Sequence, residues 1–507
     1  MSKQCLLLAA SLLIASLTGC SEKAIKKLQP VNLNHTPLLL NSDYFQQKFT
    51  YNMQDWVVYQ EKTKDASELH YDVKAFLEAS NDPYEKKTKF ELTEMGRSLL
   101  KKGSMDPIVR WHLTTAMADI GFIAEAVEHL EDAYNDMSID RYPARMRFFC
   151  CSKLAYLAEQ CESIERAADW SDTGFAEWRE WASSDRITGN QEIIIDGLIG
   201  FAVHNMDIEY KRSNFQACQN EASLHPWTLE VASGMFYRDL AWHHRGGGFA
   251  NTVSDEGWEM FRKHMDTAGD HFFKAWKAVP TLPTAPAKMI EAAMAYDIDT
   301  TPKDWFKRTT DVRFDYWSAY DLYSFSMEPK WGGTAAQMLA LGKECANSNR
   351  FGTKVPFRLL TQIYLIANAT KSDEIYRDVE VNDTVIDMLD RGIEFAQSAT
   401  GSGPKPHLNS DQIRSIKVGW LLKSEQFEDA LDLAKQLGDA MDYKKAQDWG
   451  FPDTKPLYIA KMRLAIRLPD AYNEMSKNWV TGMDTKLPLR NDAKRSTKLS
   501  PLRRRLQ

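Results

Sequence analysis

The chain has 507 residues, a net charge of −7, 44% apolar residues and 26% charged residues. This is an ordinary globular balance, which excludes a wholly disordered polypeptide, and the length allows more than one domain. The mild acidity argues against a dedicated nucleic-acid binder. No apolar run beyond the first twenty residues approaches the roughly 18 needed to span a bilayer.

The chain opens MSKQCLLLAASLLIASLTGC. Lys3 supplies a short positive region and Leu6 to Leu17 an apolar run of about three helical turns, the pattern of a secretory leader and too short for a membrane span. The run ends in Leu17-Thr18-Gly19-Cys20, which resembles the lipobox of bacterial lipoproteins. The resemblance implies cleavage between Gly19 and Cys20, a diacylglycerol thioether on Cys20, and membrane attachment through that lipid. A residue other than Asp after the lipidated cysteine, here Ser21, implies by the same resemblance the periplasmic face of the outer membrane. No other cofactor is expected.

Residues 20–45 read as a lipidated cysteine followed by a tether, because Lys, Asn, Pro and Ser occur there with little periodicity. About 25 flexible residues hold a body some 25–30 Å from the lipid. From residue 46 onward Ala, Leu, Met, Glu and Lys dominate and strand-like alternation is scarce, so the fold class is all-α. In the region 46–229, Asp106-Pro107 predicts a helix start with Asp as the cap, Gly121 a break, and FIAEAVEHLEDAY a second helix. Leu113, Gly121, Ala126, Leu130 and Ala133 follow the large, small, small, bulky, small pattern of the tetratricopeptide repeat. The pattern is physical: antiparallel helices pack closely only where small side chains face each other. Ala268, Phe272, Ala275 and Pro280 mark a second partial copy, and Phe427, Ala430 and Ala434 a third. The chain therefore resembles the tetratricopeptide superfamily, which implies a helical-hairpin solenoid, possible irregularities included.

Five cysteines remain once Cys5 leaves with the leader and Cys20 takes the lipid: Cys150, Cys151, Cys161, Cys218 and Cys345. Their odd number leaves at least one unpaired within the chain. Cys150 and Cys161 are expected on one helix, about 16 Å apart along its axis, and so do not bridge each other. The simplest expectation is that these residues act as small buried hydrophobes. Trp178 and Trp181 share a helix face, where they serve either the core or a recognition patch.

The central region, 230–365, carries the most site-like cluster. His243, His244 and Arg245 precede three glycines, an arrangement in which backbone amides approach an anion and Arg holds it. The alternative is a plain flexible loop. With Asp255-Glu256-Gly257-Trp258 and Pro329-Lys330-Trp331-Gly332-Gly333, this region resembles a bacterial family known only as domain of unknown function 4034, which implies no activity. Trp331 joins His243, His244 and Arg245 as a candidate binding residue, and Thr334 or a neighbour is expected to cap the following helix. His264 and His271 stand seven apart and need ligands from elsewhere to hold a metal, so no metal site is expected.

A C-terminal repeat region spans 366–485. The tail, 486–507, holds eight basic side chains against Asp492 alone, a net +7. It reads as disordered and as a candidate for anionic headgroups or envelope polymers. No Gly-x-Ser-x-Gly, phosphate loop or dinucleotide motif occurs, and no catalytic residue is assigned. The expectation is a non-enzymatic envelope scaffold that binds protein partners. The alternatives are an envelope enzyme with a site near His243–Arg245, or a polymer-binding module that uses the tail.

Overall fold

Helix starts in this protein are set by short polar side chains that satisfy otherwise unpaired backbone amides. Thr88, Thr301, Thr334 and Asn409 each accept from the amide three residues on, while Glu91, Asp304, Gln337 and Gln412 reach back to the cap's own amide. Each such reciprocal cap contributes about 1 kcal/mol. Asp106 accepts from the Ile108 amide with Pro107 at the first helical position, as the sequence predicts, and Thr334 is the expected cap of the helix after Trp331. The helix begun at Pro107 ends at Asp119, and Gly121 follows at φ +94°, a left-handed conformation that disfavours side chains.

The computed structural model describes Leu33, Leu40, Tyr44, Gln47 and most of residues 69–448, leaving out 81–86, 105, 140–141, 162, 203–207, 296–299 and 400–404. Gly19, Cys20, Ser21, nearly all of the tether and the basic tail lie outside the described residues. Nineteen α-helices and no β-strand occur among the described residues, so the all-α expectation holds. No helix there is long and apolar enough to cross a membrane.

The chain divides into two compact units between Ala319 and Tyr320. Positions 229/230 and 365/366 lie inside continuous helices, Pro226–Arg245 and Arg358–Thr370.

The first unit, Pro37–Ala319, contains α1 (His70–Ser80), α2 (Lys89–Lys101), α3 (Pro107–Asp119), α4 (Ile123–Ile139), α5 (Ala144–Gln160), α6 (Ile164–Ser184), α7 (Gln191–Ala202), α8 (Ile208–Gln219), α9 (Pro226–Arg245), α10 (Asp255–Ala278), α11 (Thr284–Ala295) and α12 (Pro302–Val312). Each helix from α1 to α7 packs on its neighbour in sequence, as do those from α8 to α12; α1 also meets α3, α3 meets α5, and α7 meets α9. Small residues allow the close approaches. A side chain added at Gly96 in α2 would lie 2.9 Å from Leu113 in α3, and one at Gly234 in α9 would lie 2.5 Å from the Phe272 ring in α10. Ala126, Leu130 and Ala133 are fully buried, as are Ala268, Phe272 and Ala275 to within 1% exposure. Trp178 and Trp181 are core residues, Trp178 donating its indole N–H to the Ile194 carbonyl at 2.9 Å.

The second unit, whose helical part starts at Tyr320, holds the end of α13 (Trp317–Ser326), then α14 (Ala335–Asn347), α15 (Arg358–Thr370), α16 (Val379–Ser398), α17 (Ser410–Lys423), α18 (Phe427–Leu437) and α19 (Tyr443–Asp448). One core gathers Phe351, Phe357, Leu360, Met388 and Trp420, and another gathers Val418, Ala430, Ala434 and Ala446. In the third partial repeat Ala430 and Ala434 are buried, but Phe427 is 40% exposed at the start of α18 and does not take the bulky core position. All five described cysteines are free thiols, and all except Cys161 are buried.

Candidate functional site

The C-terminal half of α9 carries polar residues along two sides, and both sides have structure. At its end, His243 and His244 are exposed. Arg245 is half-buried and donates Nη1 to the carbonyl oxygens of Gly246 at 3.1 Å and Gly248 at 3.2 Å. Its guanidinium also lies over two indoles, 5.4 Å from Trp242 and 5.1 Å from Trp258. The guanidinium therefore engages the glycine turn itself. Trp258 donates to the Ala250 carbonyl at 3.3 Å, closing the turn from the α10 side. Beside it lies an open hollow of about 640 Å³ bordered by Asp255, Trp258, Glu259 and Arg262.

Along the α9–α10 seam the aromatic rings form a column. His244 stacks on His264 at 5.2 Å, Tyr237 lies 6.2 Å from His264 and 5.5 Å from His271, and His271 Nδ1 is 2.6 Å from Glu230. Burial, and then the neighbouring His244, Lys263 and Arg212, hold His264 below the usual histidine range. Among the described residues no three His, Cys, Asp or Glu side chains are placed to hold a metal. Trp331 belongs to the other compact unit, where it sits edge-on to Phe325 at 5.5 Å. The four candidate residues are therefore divided between the two units.

The other side of α9 faces inward and holds a charge network with no signature in the sequence. Arg238 Nε donates to Glu291 Oε2 at 2.6 Å, Trp242 Nε1 donates to Glu291 Oε1 at 2.6 Å, and Arg238 Nη1 donates to Asp239 at 3.0 Å. Lys211 of α8 also donates to Asp239. Burial raises the Asp239 carboxyl, but Arg238 and Lys211 outweigh it and hold the group below the usual carboxylate range. Lys288 on α11 sits among the same charges. Burial and Arg238 push its ammonium down to about 8, against the pull of Glu291, Asp239 and Asp196.

Beyond Asp196 the network continues to a second buried pair. Arg313, just after α12, forks onto Glu192 of α7, Nη1 to Oε1 at 2.7 Å and Nη2 to Oε2 closer still, and the two side chains are 3% and 2% exposed. Tyr316 and Thr284 hydroxyls lie 3.2 Å apart beside it. Into this polar recess comes Tyr44, which donates to Asp196 and lies with its ring 4.2 Å from the Arg313 guanidinium. Charged groups of both signs alternate through the network, an arrangement suited to fixing helix positions and binding a polar side chain.

These partners lie far apart along the chain. Glu192 and Arg313 are 121 residues apart and Tyr44 and Asp196 are 152 apart, so no motif spacing joins them. The only local hint is the presence of acidic residues in the otherwise apolar run Gln191–Ile199. No family model matches the chain, and no curated protein matches it.

Proposed function

We propose that the chain is a lipid-anchored helical-repeat scaffold of the cell envelope, attached through Cys20 at the periplasmic face of the outer membrane and binding protein partners on its helical surface. The observation that carries this reading is the packing order: within each unit most helices meet their neighbour in sequence and several also meet the next but one, the arrangement by which helical solenoids build long binding surfaces. The Arg313–Glu192 pair, with both side chains almost fully buried, supports it by fastening α7 to the residue that follows α12. The hollow beside Trp258, next to the Arg245 turn, favours as a second reading an envelope enzyme with its site at that turn.

Labelled palmitate and fractionation test the anchor. Wild-type protein takes up label and stays with outer membranes, whereas Cys20→Ser does neither; equal labelling of both refutes the anchor. The scaffold reading is tested by placing a photoreactive residue at exposed Tyr71 or Phe122 in cells. A discrete protein adduct supports it, and the absence of any adduct at either position counts against it.

A further inference from the structure

We infer that the recess formed by Glu192, Asp196, Arg313 and Tyr316 is a docking socket for a tyrosine on a short helical segment, and that the chain's own N-terminal segment fills it through Tyr44. This stands whether or not Cys20 is lipidated.

The socket's charge pair closes without its occupant. Arg313 and Glu192 fork together and Tyr316 pairs with Thr284, so Tyr44 is not needed to neutralise any buried ion pair. What Tyr44 adds is a matched fit at two points. The ring face meets the guanidinium, a cation–π contact, and the phenol hydroxyl reaches the Asp196 carboxylate, a charge-assisted hydrogen bond. The ring is 5% exposed. The segment presents a second contact from the same face, since Gln47, three residues on, donates Nε2 to the Gly189 carbonyl at 2.8 Å just before α7. The Tyr44 amide donates to the Leu40 carbonyl at 3.3 Å, the pattern of a helical turn, which puts Tyr44 and Gln47 on one side.

The two recognition points demand both a flat ring and a hydroxyl. Phenylalanine keeps the cation contact and leaves Asp196 without its donor, so the socket discriminates tyrosine from phenylalanine. Docking ties Tyr44 and Gln47 to α7 and to the turn just before it.

The test uses full-length Tyr44→Ala and a fluorescent peptide of residues 37–50. The expected results are saturable binding of the peptide to Tyr44→Ala, binding about 10- to 100-fold weaker when the peptide carries Phe at position 44, and little binding to wild type, whose socket is filled. Failure of the peptide to bind Tyr44→Ala, or equal binding by the Tyr and Phe peptides, overturns the inference. A second measurement is independent of the stability of that variant. Amide exchange at residues 40–47 and 189–196 quickens in Asp196→Asn and is unaffected by protein concentration; exchange unchanged in Asp196→Asn overturns the socket, and protection that rises with concentration assigns the occupant to a second copy and overturns docking within the chain.

Discussion

Replacing Arg313 with methionine removes the guanidinium that forks onto the Glu192 carboxylate, 2% exposed. Removing one partner of a buried ion pair costs about 3–5 kcal/mol, because the remaining charge keeps its desolvation penalty, whereas replacing both by apolar groups of similar volume is often close to neutral. Arg313→Met is therefore expected to lower the stability of the first unit by several kcal/mol. Glu192→Met, which strands the guanidinium, is expected to do the same, and the double substitution to recover most of the loss. Urea unfolding followed by the fluorescence of Trp178, Trp181 and Trp227, all buried in that unit, measures all four corners of the cycle. Independent sites add to within about 0.5 kcal/mol. Single substitutions that each cost under about 1 kcal/mol, or that sum to the double, would show that the two groups are not the coupled buried pair described here.

Gly234→Ala drives a methyl group into the Phe272 ring and is expected to cost about 1–3 kcal/mol by overpacking, partly relieved by Phe272→Leu; an unmoved urea midpoint would contradict the close approach of α9 and α10. His112 has its pKa lowered by burial to about 3. The unfolded chain therefore takes up this proton first, and the stability contributed above pH about 6.5 is lost as pH falls toward 3, by up to about 1.4 kcal/mol per pH unit. His112→Gln should flatten that slope between pH 6.5 and 4, and an identical slope in the variant would rule the histidine out as its source. Arg245→Ala removes the guanidinium from between Trp242 and Trp258 together with its two carbonyl contacts. Faster amide exchange at residues 246–252 is expected, with no more than about 1 kcal/mol lost overall, and equal exchange would mean that the turn holds itself.

Features written in short-range chemistry were legible before any coordinates. Asp106-Pro107, Gly121 and Thr334 act through neighbours a few residues away, so their roles follow from local geometry alone. The Ala126, Leu130, Ala133 spacing likewise marks a buried face, because helix periodicity places these residues on one side. Phe427 shows the limit of such patterns: it sits at the first position of α18, before the helix has turned its face inward. His243, His244 and Arg245 were recognisable as a cluster, but which groups the guanidinium meets depends on Trp258, brought in by α10. The charge network is the extreme case. Lys288 and Glu291 occupy helix positions with nothing unusual in their neighbours, Asp196 stands out only as an acid in an apolar run, and only the packing of α7, α9 and α11 gives the three common surroundings.

The thiols of this protein have a practical consequence. Burial raises Cys150 and Cys151 well above the ordinary thiol range and Cys218 to about 12, so their nucleophilic form is scarce at neutral pH, and none of the five described cysteines is cross-linked. Folding of the described helices thus requires no oxidant, and a reductant such as dithiothreitol should leave the unfolding midpoint where it was. An alkylating probe applied to the native protein should mark Cys161, at the exposed end of α5, well before the others, which makes that position a natural site for attaching a reporter.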